Sequence, residues 1–388
     1  MEHDVLVVGG GATGAGIARD LALRGVDILL VERGNVAAGT TGRSHALLHS
    51  GARYAENDRS GAAECIAENR VLRDIAPHCI HDTDGVFLQT TSDDPAYFDE
   101  KYTACEDIGI PADPVSPDAL RSSEPVADDI QGAFTVPDAV IDPFSLTVAN
   151  LADAIDNGAQ VETGTTVTDV HVENGTVSGA TLRTDGRETR VTADHVVNAA
   201  GAWAGDVAGM ADVPVRMQPT AGVMAVVANP GIGAVLNRCR PPSDGDIIVP
   251  HGDVAVPGTT STPVDDPDAF DRSEAAVEQV IAEAAEMVPA LGDAAVEDTY
   301  WGVRPLYQPE TENEGRDISR GFHLLDHGER DGVDGFTTIV GRKLTTYRAM
   351  AEAVADHVAT VLGVDTRCET DKQALPGRDN PDTLAPYL

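Results

Sequence analysis

The chain has 388 residues, room for two domains or for one large domain with a substantial insertion. Hydrophobic residues make up 42%, ordinary for a globular protein, and no apolar run reaches the ~18–20 residues of a membrane span. The formal net charge is −37, from 64 acidic against 27 basic residues, which repels nucleic-acid phosphates and anionic lipid and argues against both as direct partners.

Only Lys101, Lys343 and Lys372 are lysines. An acid-rich, lysine-poor surface suits high salt, where screening removes self-repulsion, so a halophilic source is expected. The start MEHDVLVVGG runs from acidic residues straight into a strand pattern, without the basic, apolar and small-residue layout of a signal peptide. A cytoplasmic location is the expectation. Cys65, Cys79, Cys105, Cys239 and Cys368 are odd in number and form no C-x-x-C or close Cys/His cluster. They predict no disulfide framework and no metal site.

In chain order, Asp4–Gly9 reads as a short buried strand. Ala12–Arg24 follows as a helix with Ile17, Ala18 and Leu21 on one face, ending at Gly25. Val26–Val31 is a second, fully apolar strand of the kind a parallel sheet buries. Ala62–Ile75 is helical, and from Gly85 to Pro137 the pattern changes to strands, Pro-rich turns and short helices. Pro143–Asn157 is helical, and Val161 to Val197 alternates like a meander feeding a buried strand. A helix over Ser273–Met287, a strand at Phe336–Val340 and a helix over Thr345–Leu362 complete the reading. The organisation is interleaved. Segments 1–80, 141–214 and 326–364 form one domain, 81–140 and 215–325 the other, and 365–388 an extension or linker.

The turn Gly9-Gly10-Gly11-Ala12-Thr13-Gly14 contains G-x-G-x-x-G between a strand and a helix. Gly9 permits the tight turn, Gly11 lets the backbone approach a pyrophosphate, and Gly14 lets the helix pack on the sheet. The helix start, with Ala12 and Thr13, offers N–H groups to the diphosphate. Glu32 ends the second strand, where an acid accepts from ribose hydroxyls, and Arg33 follows it. A dinucleotide is therefore expected. The loop that follows carries Thr40, Thr41, Arg43 and Ser44 where another βα unit is usual in NAD proteins, which points towards FAD. Val167 and the small-residue stretch Ala200, Gly201 and Trp203 after the buried strand are further candidate cofactor contacts.

Four segments carry a resemblance that runs essentially from end to end. Val8–Asp20 with Arg24-Gly25 is similar to the N-terminal signature of FAD-dependent glycerol-3-phosphate dehydrogenases. His49-Ser50-Gly51-Ala52-Arg53-Tyr54 resembles that family's H-x-G-x-R-Y segment, and Gly302-Val303-Arg304-Pro305-Leu306 its G-[VL]-R-P-L segment. Gly341-Arg342-Lys343-Leu344-Thr345-Thr346-Tyr347-Arg348 resembles its G-G-K-x-x-x-Y-R signature, with Arg342 in place of the second glycine. The wording of Thr41–Tyr54 and Leu325–Gly332 is most like the large A subunit of the anaerobic enzyme. The resemblance implies a mixed α/β (α+β) fold, in which a Rossmann-type FAD-binding domain is interleaved with an antiparallel-sheet substrate domain, in the D-amino-acid-oxidase/glutathione-reductase-like architecture. It implies sn-glycerol 3-phosphate as substrate, B and C electron-transfer subunits as partners, and peripheral membrane association through them. The resembled A subunits usually continue into a cysteine-containing [2Fe–2S] module, whereas this sequence stops at Leu388, so either it is truncated or its electrons leave by another route. Gly341, Arg342, Lys343, Leu344 and Thr345 are then candidates to border the flavin.

Oxidising a secondary alcohol needs a hydride acceptor and a base for the hydroxyl proton, and holding a phosphate needs cations. Arg53, Arg304 and Lys343 are the candidate clamp, because guanidinium groups bind phosphate oxygens in pairs and an ammonium adds a point charge. His49 is the preferred base, since imidazole titrates near neutrality, with His251 as a rival. Tyr54 is a candidate to orient substrate, and Thr260 to face the site. An amine or amino-acid oxidase of the same fold, binding carboxylate through one arginine, is an alternative. A non-catalytic flavin protein that only transfers electrons is another. Convergence of His49, Arg53, Arg304 and Lys343 on one pocket would favour catalysis.

Overall fold

The computed structural model describes residues 1–308 and 321–387. Its centre is a parallel sheet whose strands are apolar throughout because helices or further strands cover both faces. Strand β1 (Glu2–Val8) lies between β2 (Ile28–Val31) and Arg187–Asn198, parallel to both, with Val8 opposite Val31 and Asn198. Gln160–Glu162 extends the sheet beyond β2, and Phe336–Gly341 extends it beyond Arg187–Asn198. The strand Arg187–Asn198 serves two layers. Residues 187–191 close an antiparallel meander with Thr165–Glu173 and Thr176–Thr184, and residues 192–198 run beside β1.

Helix α1 (Ala12–Leu23), the helix Pro143–Asp156 and the helix Tyr347–Leu362 pack on one face of this sheet, burying Ile17, Leu21, Leu151 and Val354 against Val5, Val7 and Leu30. The helix predicted from Thr345 starts at Tyr347, because Leu344–Thr346 forms a tighter 3₁₀ turn first. The helix predicted at Ser273 begins at Glu274 and buries Val280, Ala284 and Met287.

A nine-stranded sheet is built from two excursions of the chain, residues 85–136 and 220–304. Thr220–Ala228 is paired along its length with Val296–Arg304, so that Arg304 stands opposite Thr220 at the sheet's end. The expectation is an antiparallel sheet, and the observed sheet is mixed: Gly85–Gln89 lies parallel to Val235–Arg238. These two strands belong to different excursions, so no hairpin forces them to run in opposite directions. The expected boundary at 325 also moves. Phe322–Asp326 pairs with Phe336–Gly341 and belongs to the first sheet.

The C-terminal stretch, expected as an extension or linker, docks on the first layer. Arg19, wholly buried in α1, binds Asp153 at 2.6 Å and reaches the carbonyls of Gln373 at 2.8 Å and Thr370 at 3.4 Å. Leu375 and Leu384 are buried beside Leu72 and Leu146. A buried guanidinium needs acceptors, and the tail's backbone supplies two of them. No described helix is long and apolar enough to cross a membrane.

Candidate active site and cofactor cleft

The glycine turn works through close approach. Gly9 has φ +118°, and a Cβ there would lie 2.6 Å from the carbonyl oxygen of Ala199. At Gly14 a Cβ would lie 1.9 Å from the carbonyl oxygen of Gly9, so any side chain would push α1 off the strand. Glu32 accepts from the backbone N–H groups of Gly10 at 2.7 Å and Gly34 at 2.8 Å, which fixes its carboxylate at the mouth of the turn. Thr41 accepts from the N–H of Ala12 at 3.1 Å, and Thr40 donates to the carbonyl of Val303 at 2.6 Å. The loop therefore ties the start of α1 to the second sheet.

Above this turn lies a cavity of about 490 Å³ that extends from Glu32 past Gly11 and Thr41 to Arg342 and Lys343. Ala12, Thr13, Thr40, Arg43 and Ser44 line it, as do Val167, Ala200 and Gly201, and Gly341 and Leu344 close its far end. Gly14 and Thr345 do not line it. The first acts by packing, and Thr345 accepts from the N–H of His49 at 2.9 Å. Arg33 lies over the Trp203 indole, 4.2 Å from the ring centroid, and both bind Asp268: Arg33 through two bonds of 2.9 and 3.1 Å, and Trp203 through Nε1 at 3.0 Å. Asp268 carries no sequence signal, because it reaches the rim from an irregular loop far along the chain. An acid at the mouth of the turn, a turn stripped of side chains and an elongated cavity together fit a dinucleotide such as FAD.

The basic pocket borders the far end of this cavity. His49 is placed by its backbone: its N–H goes to Thr345, and its carbonyl accepts from Asn69 Nδ2 at 3.2 Å. The N–H of Ser50 meets the buried Asp138 at 2.6 Å. The His49 and Tyr54 rings lie edge-on, 5.6 Å apart, and the Lys343 ammonium is 4.3 Å from the Tyr54 centroid. Far from a solvated surface lysine, Lys343 is buried, with Asp58 3.8 Å away. Arg53 meets the buried carboxylate of Asp246 at 3.3 Å, and Asp246 is itself held by Arg240 at 2.8 Å and by the N–H of Ser243 at 2.6 Å.

Arg304 Nη1 donates to the carbonyl of Thr260 at 3.0 Å, while the Thr260 hydroxyl accepts from the N–H of Val223 at 3.2 Å. Thr260 thus positions Arg304 through its backbone. Arg342 is exposed at the rim.

Burial and concentrated positive charge set the electrostatics. Burial, then Arg53 and Lys343, push the His49 imidazole down to about 3, so it stands neutral in the free protein. Burial pushes the Tyr54 phenol up to about 12, which keeps it a hydrogen-bond donor at neutral pH. Burial pushes Arg304 down, while the Tyr54 and Asp244 charges oppose the shift and Arg53 and Arg342 add to it. Burial lowers the imidazole of His251, the rival base, and the nearby backbone of His45 opposes that shift. Sequence reasoning misses His45 itself, a half-buried imidazole that lies against Gly258 and is also held down to about 3, mainly by burial and then by Arg304. A second histidine four residues before His49 is the available signal.

Cradle and pocket together define a class of protein, an oxidoreductase that holds a dinucleotide beside a cationic substrate pocket. The family model described as FAD dependent oxidoreductase matches residues 4–357, and this chain belongs to that family. The A1 subunit of the anaerobic glycerol-3-phosphate dehydrogenase of Haloferax volcanii is 48% identical over 399 residues, an alignment covering 99% of this chain and 68% of that one. The A subunit of the Escherichia coli K12 anaerobic enzyme is 44% identical, covering 97% and 71%. The glycerol-3-phosphate dehydrogenase of Bacillus halodurans, solved in complex with FAD, superimposes with a TM-score of 0.74 at 24% identity, over all of this chain and 70% of that one.

Proposed function

We propose that this chain oxidises sn-glycerol 3-phosphate to dihydroxyacetone phosphate, with FAD held in the cleft between Glu32 and Lys343. The observation that carries this reading is the convergence of His49, Arg53, Arg304 and Lys343 on one pocket at the end of that cleft. A bound flavin supplies the two-electron acceptor for the hydrogen that leaves the secondary carbon as hydride.

The protein's part is to hold, orient and deprotonate. Arg53 and Arg304 take the phosphate, since they present paired N–H donors to its oxygens. Lys343, desolvated against Tyr54, adds positive charge at the flavin end of the pocket. His49 Nδ1 or Nε2 accepts the hydroxyl proton as the carbonyl forms; the ring is neutral in the free protein, and a bound phosphate offsets the cations that weaken it as a base. Thr345 and Asn69 fix the backbone from which that ring projects.

Segments 1–80, 141–214 and 326–364 act in this reading as the cofactor unit, and 81–140 and 215–325 as the substrate unit. The two-sheet architecture supports that division, with Phe322–Asp326 reassigned as above. The names of its relatives as A subunits support a place in a complex. In this reading B and C subunits carry the electrons onward and bring it to the inner face of the membrane. The test is anaerobic titration of the flavin-loaded protein in high salt with glycerol 3-phosphate, glycerol and glycine in turn. Bleaching of the oxidised flavin band by glycerol 3-phosphate alone is expected. Bleaching by glycine instead would place the chain among amino-acid oxidases, and no bleaching by any of the three would favour a protein that only transfers electrons.

A further inference from the structure

Lysine is scarce in this chain, and two of its three lysines, Lys101 and Lys343, are buried. Lys101, on the helix Pro95–Ile108, is only 1% exposed. Its ammonium donates to Glu56 Oε2 at 2.6 Å and to the backbone carbonyls of Ala52 at 3.2 Å and Arg53 at 3.4 Å. It also lies 5.3 Å from the ring centroids of Phe87 and Tyr97. Tyr97, one helical turn before Lys101, donates its hydroxyl to the other oxygen of Glu56, whose side chain is itself 3% exposed.

A buried ion pair needs a reason. Both charges lose their water, and a well-packed apolar pair of the same volume is often no less stable. Stability is therefore weak grounds for keeping Lys101 and Glu56. The two carbonyls supply a better one. They belong to the peptide planes on either side of the Arg53 Cα, and those planes fix the direction in which the Arg53 side chain leaves the backbone. One ammonium holds both. The turn Ala52–Tyr54 is a single 3₁₀ turn with little bonding of its own: the N–H of Tyr54 reaches Gly51 at 2.9 Å, and that of Ala55 reaches Ala52 at a longer 3.3 Å. Further out, the Arg53 guanidinium meets the buried carboxylate of Asp246 at 3.3 Å. Arg53 is thus fixed at both ends, its backbone by Lys101 and its guanidinium by Asp246.

We propose that Lys101, neutralised by Glu56, is a positioning residue that aims Arg53 at the substrate phosphate. The inference rests on the phosphate reading above and deepens it. Because Lys101 and Glu56 cancel each other, the pair adds no net charge to the pocket, whose positive field stays with Arg53, Arg304 and Lys343. Its effect is geometric. Without the ammonium, the turn is free to rotate its carbonyls towards other donors, and the guanidinium moves off the phosphate oxygens. Hydrogen bonds weaken steeply with angle, so a small rotation at the Arg53 Cα costs affinity at the end of a long side chain. Other groups serve the secondary carbon, where hydride and proton leave, so the rate at saturation is largely spared.

Lys101→Met alone would leave Glu56 buried without a cation, so the decisive variant is Lys101→Met/Glu56→Gln, which removes both charges at similar volume. Flavin content and Tm are its folding controls. In anaerobic rapid mixing of the flavin-loaded protein with glycerol 3-phosphate, the apparent Kd should rise about three- to thirtyfold, part of what losing the Arg53 contact outright would cost. The limiting rate of flavin reduction should stay within about threefold of wild type, and the efficiency with glycerol should not change. In an Arg53→Ala background the same replacement should alter the Kd by less than about twofold, because the residue it aims is gone. Tyr97→Phe, which removes only the hydroxyl bond to Glu56, should raise the Kd by a smaller factor that also vanishes with Arg53→Ala. Unchanged affinity in a flavin-loaded Lys101→Met/Glu56→Gln overturns the proposal, and so does a loss that persists in full without Arg53 or falls equally on glycerol. If that variant takes up no flavin, the Tyr97→Phe cycle decides: no shift, or a shift that survives Arg53→Ala, overturns the proposal too. If wild type and Arg53→Ala bind glycerol 3-phosphate equally well, or neither binds it, it is the phosphate reading that has failed.

Discussion

The cofactor cradle and the basic pocket are neighbours in space and opposites in construction. The cradle comes from one stretch of chain, β1 to Ser44, in which each residue acts through its own backbone or a near neighbour: Gly14 against Gly9, Glu32 on Gly10, Thr41 on Ala12. The pocket draws Arg53, Thr260, Arg304 and Lys343 from four separate segments, and holds them with partners from still others, Asp246 and Asp58 among them. A device confined to one stretch of chain tolerates a changed surrounding, because its partners come from that same stretch. A dispersed one depends on the second sheet keeping its register on the first, so its residues are costly to hold and selective in what they bind.

That contrast predicts different failures. The largest effect belongs to the cradle. Gly14→Val should remove flavin binding outright, because the new side chain has no room against the Gly9 carbonyl, and the purified variant should be colourless. A Gly14→Val protein with full flavin content would break the comparison, since the cradle would then not depend on that contact.

His49→Ala should leave the flavin in place and slow its reduction at saturating substrate by ~10²–10⁴-fold. The pH profile sharpens this case. The working form of His49 is neutral, and its imidazole is held at about 3 in the free protein, so lowering the pH through 6 removes none of that form. Once corrected for the dianion fraction of the substrate, kcat/KM should show no acid limb near the ordinary histidine value. A limb there would mean that another group is the base.

The two regions also differ in how far sequence alone reveals them. Glycines at fixed offsets and an acid at the end of the next strand are signals within one window, so Gly9, Gly11 and Glu32 take their roles from physical reasoning alone. Nothing local marks Arg53 or Arg304 as partners. Resemblance names them, and only the fold shows the carbonyl and carboxylate that aim them. Asp246 and Asp268 escape altogether, because each acts across the boundary between the two sheets. The mixed order of the second sheet is likewise hidden, since the pairing of Gly85–Gln89 with Val235–Arg238 joins segments about 150 residues apart in a way that periodicity does not register.

The most direct test of the account is the preference for the phosphate over the bare alcohol, measured by rapid anaerobic mixing of wild type and Arg304→Ala with glycerol 3-phosphate and with glycerol. In the wild type, glycerol should reduce the flavin far less efficiently, because it offers the pocket nothing to hold. In Arg304→Ala, glycerol 3-phosphate should bind more weakly by ~1.5–3 kcal/mol, roughly ten- to more than a hundredfold, and recover much of its rate at high concentration. Glycerol should be almost unaffected, so the preference narrows. Equal efficiency of glycerol and its phosphate in the wild type, or an equal loss for both in Arg304→Ala, would contradict the assignment of this pocket to a phosphate.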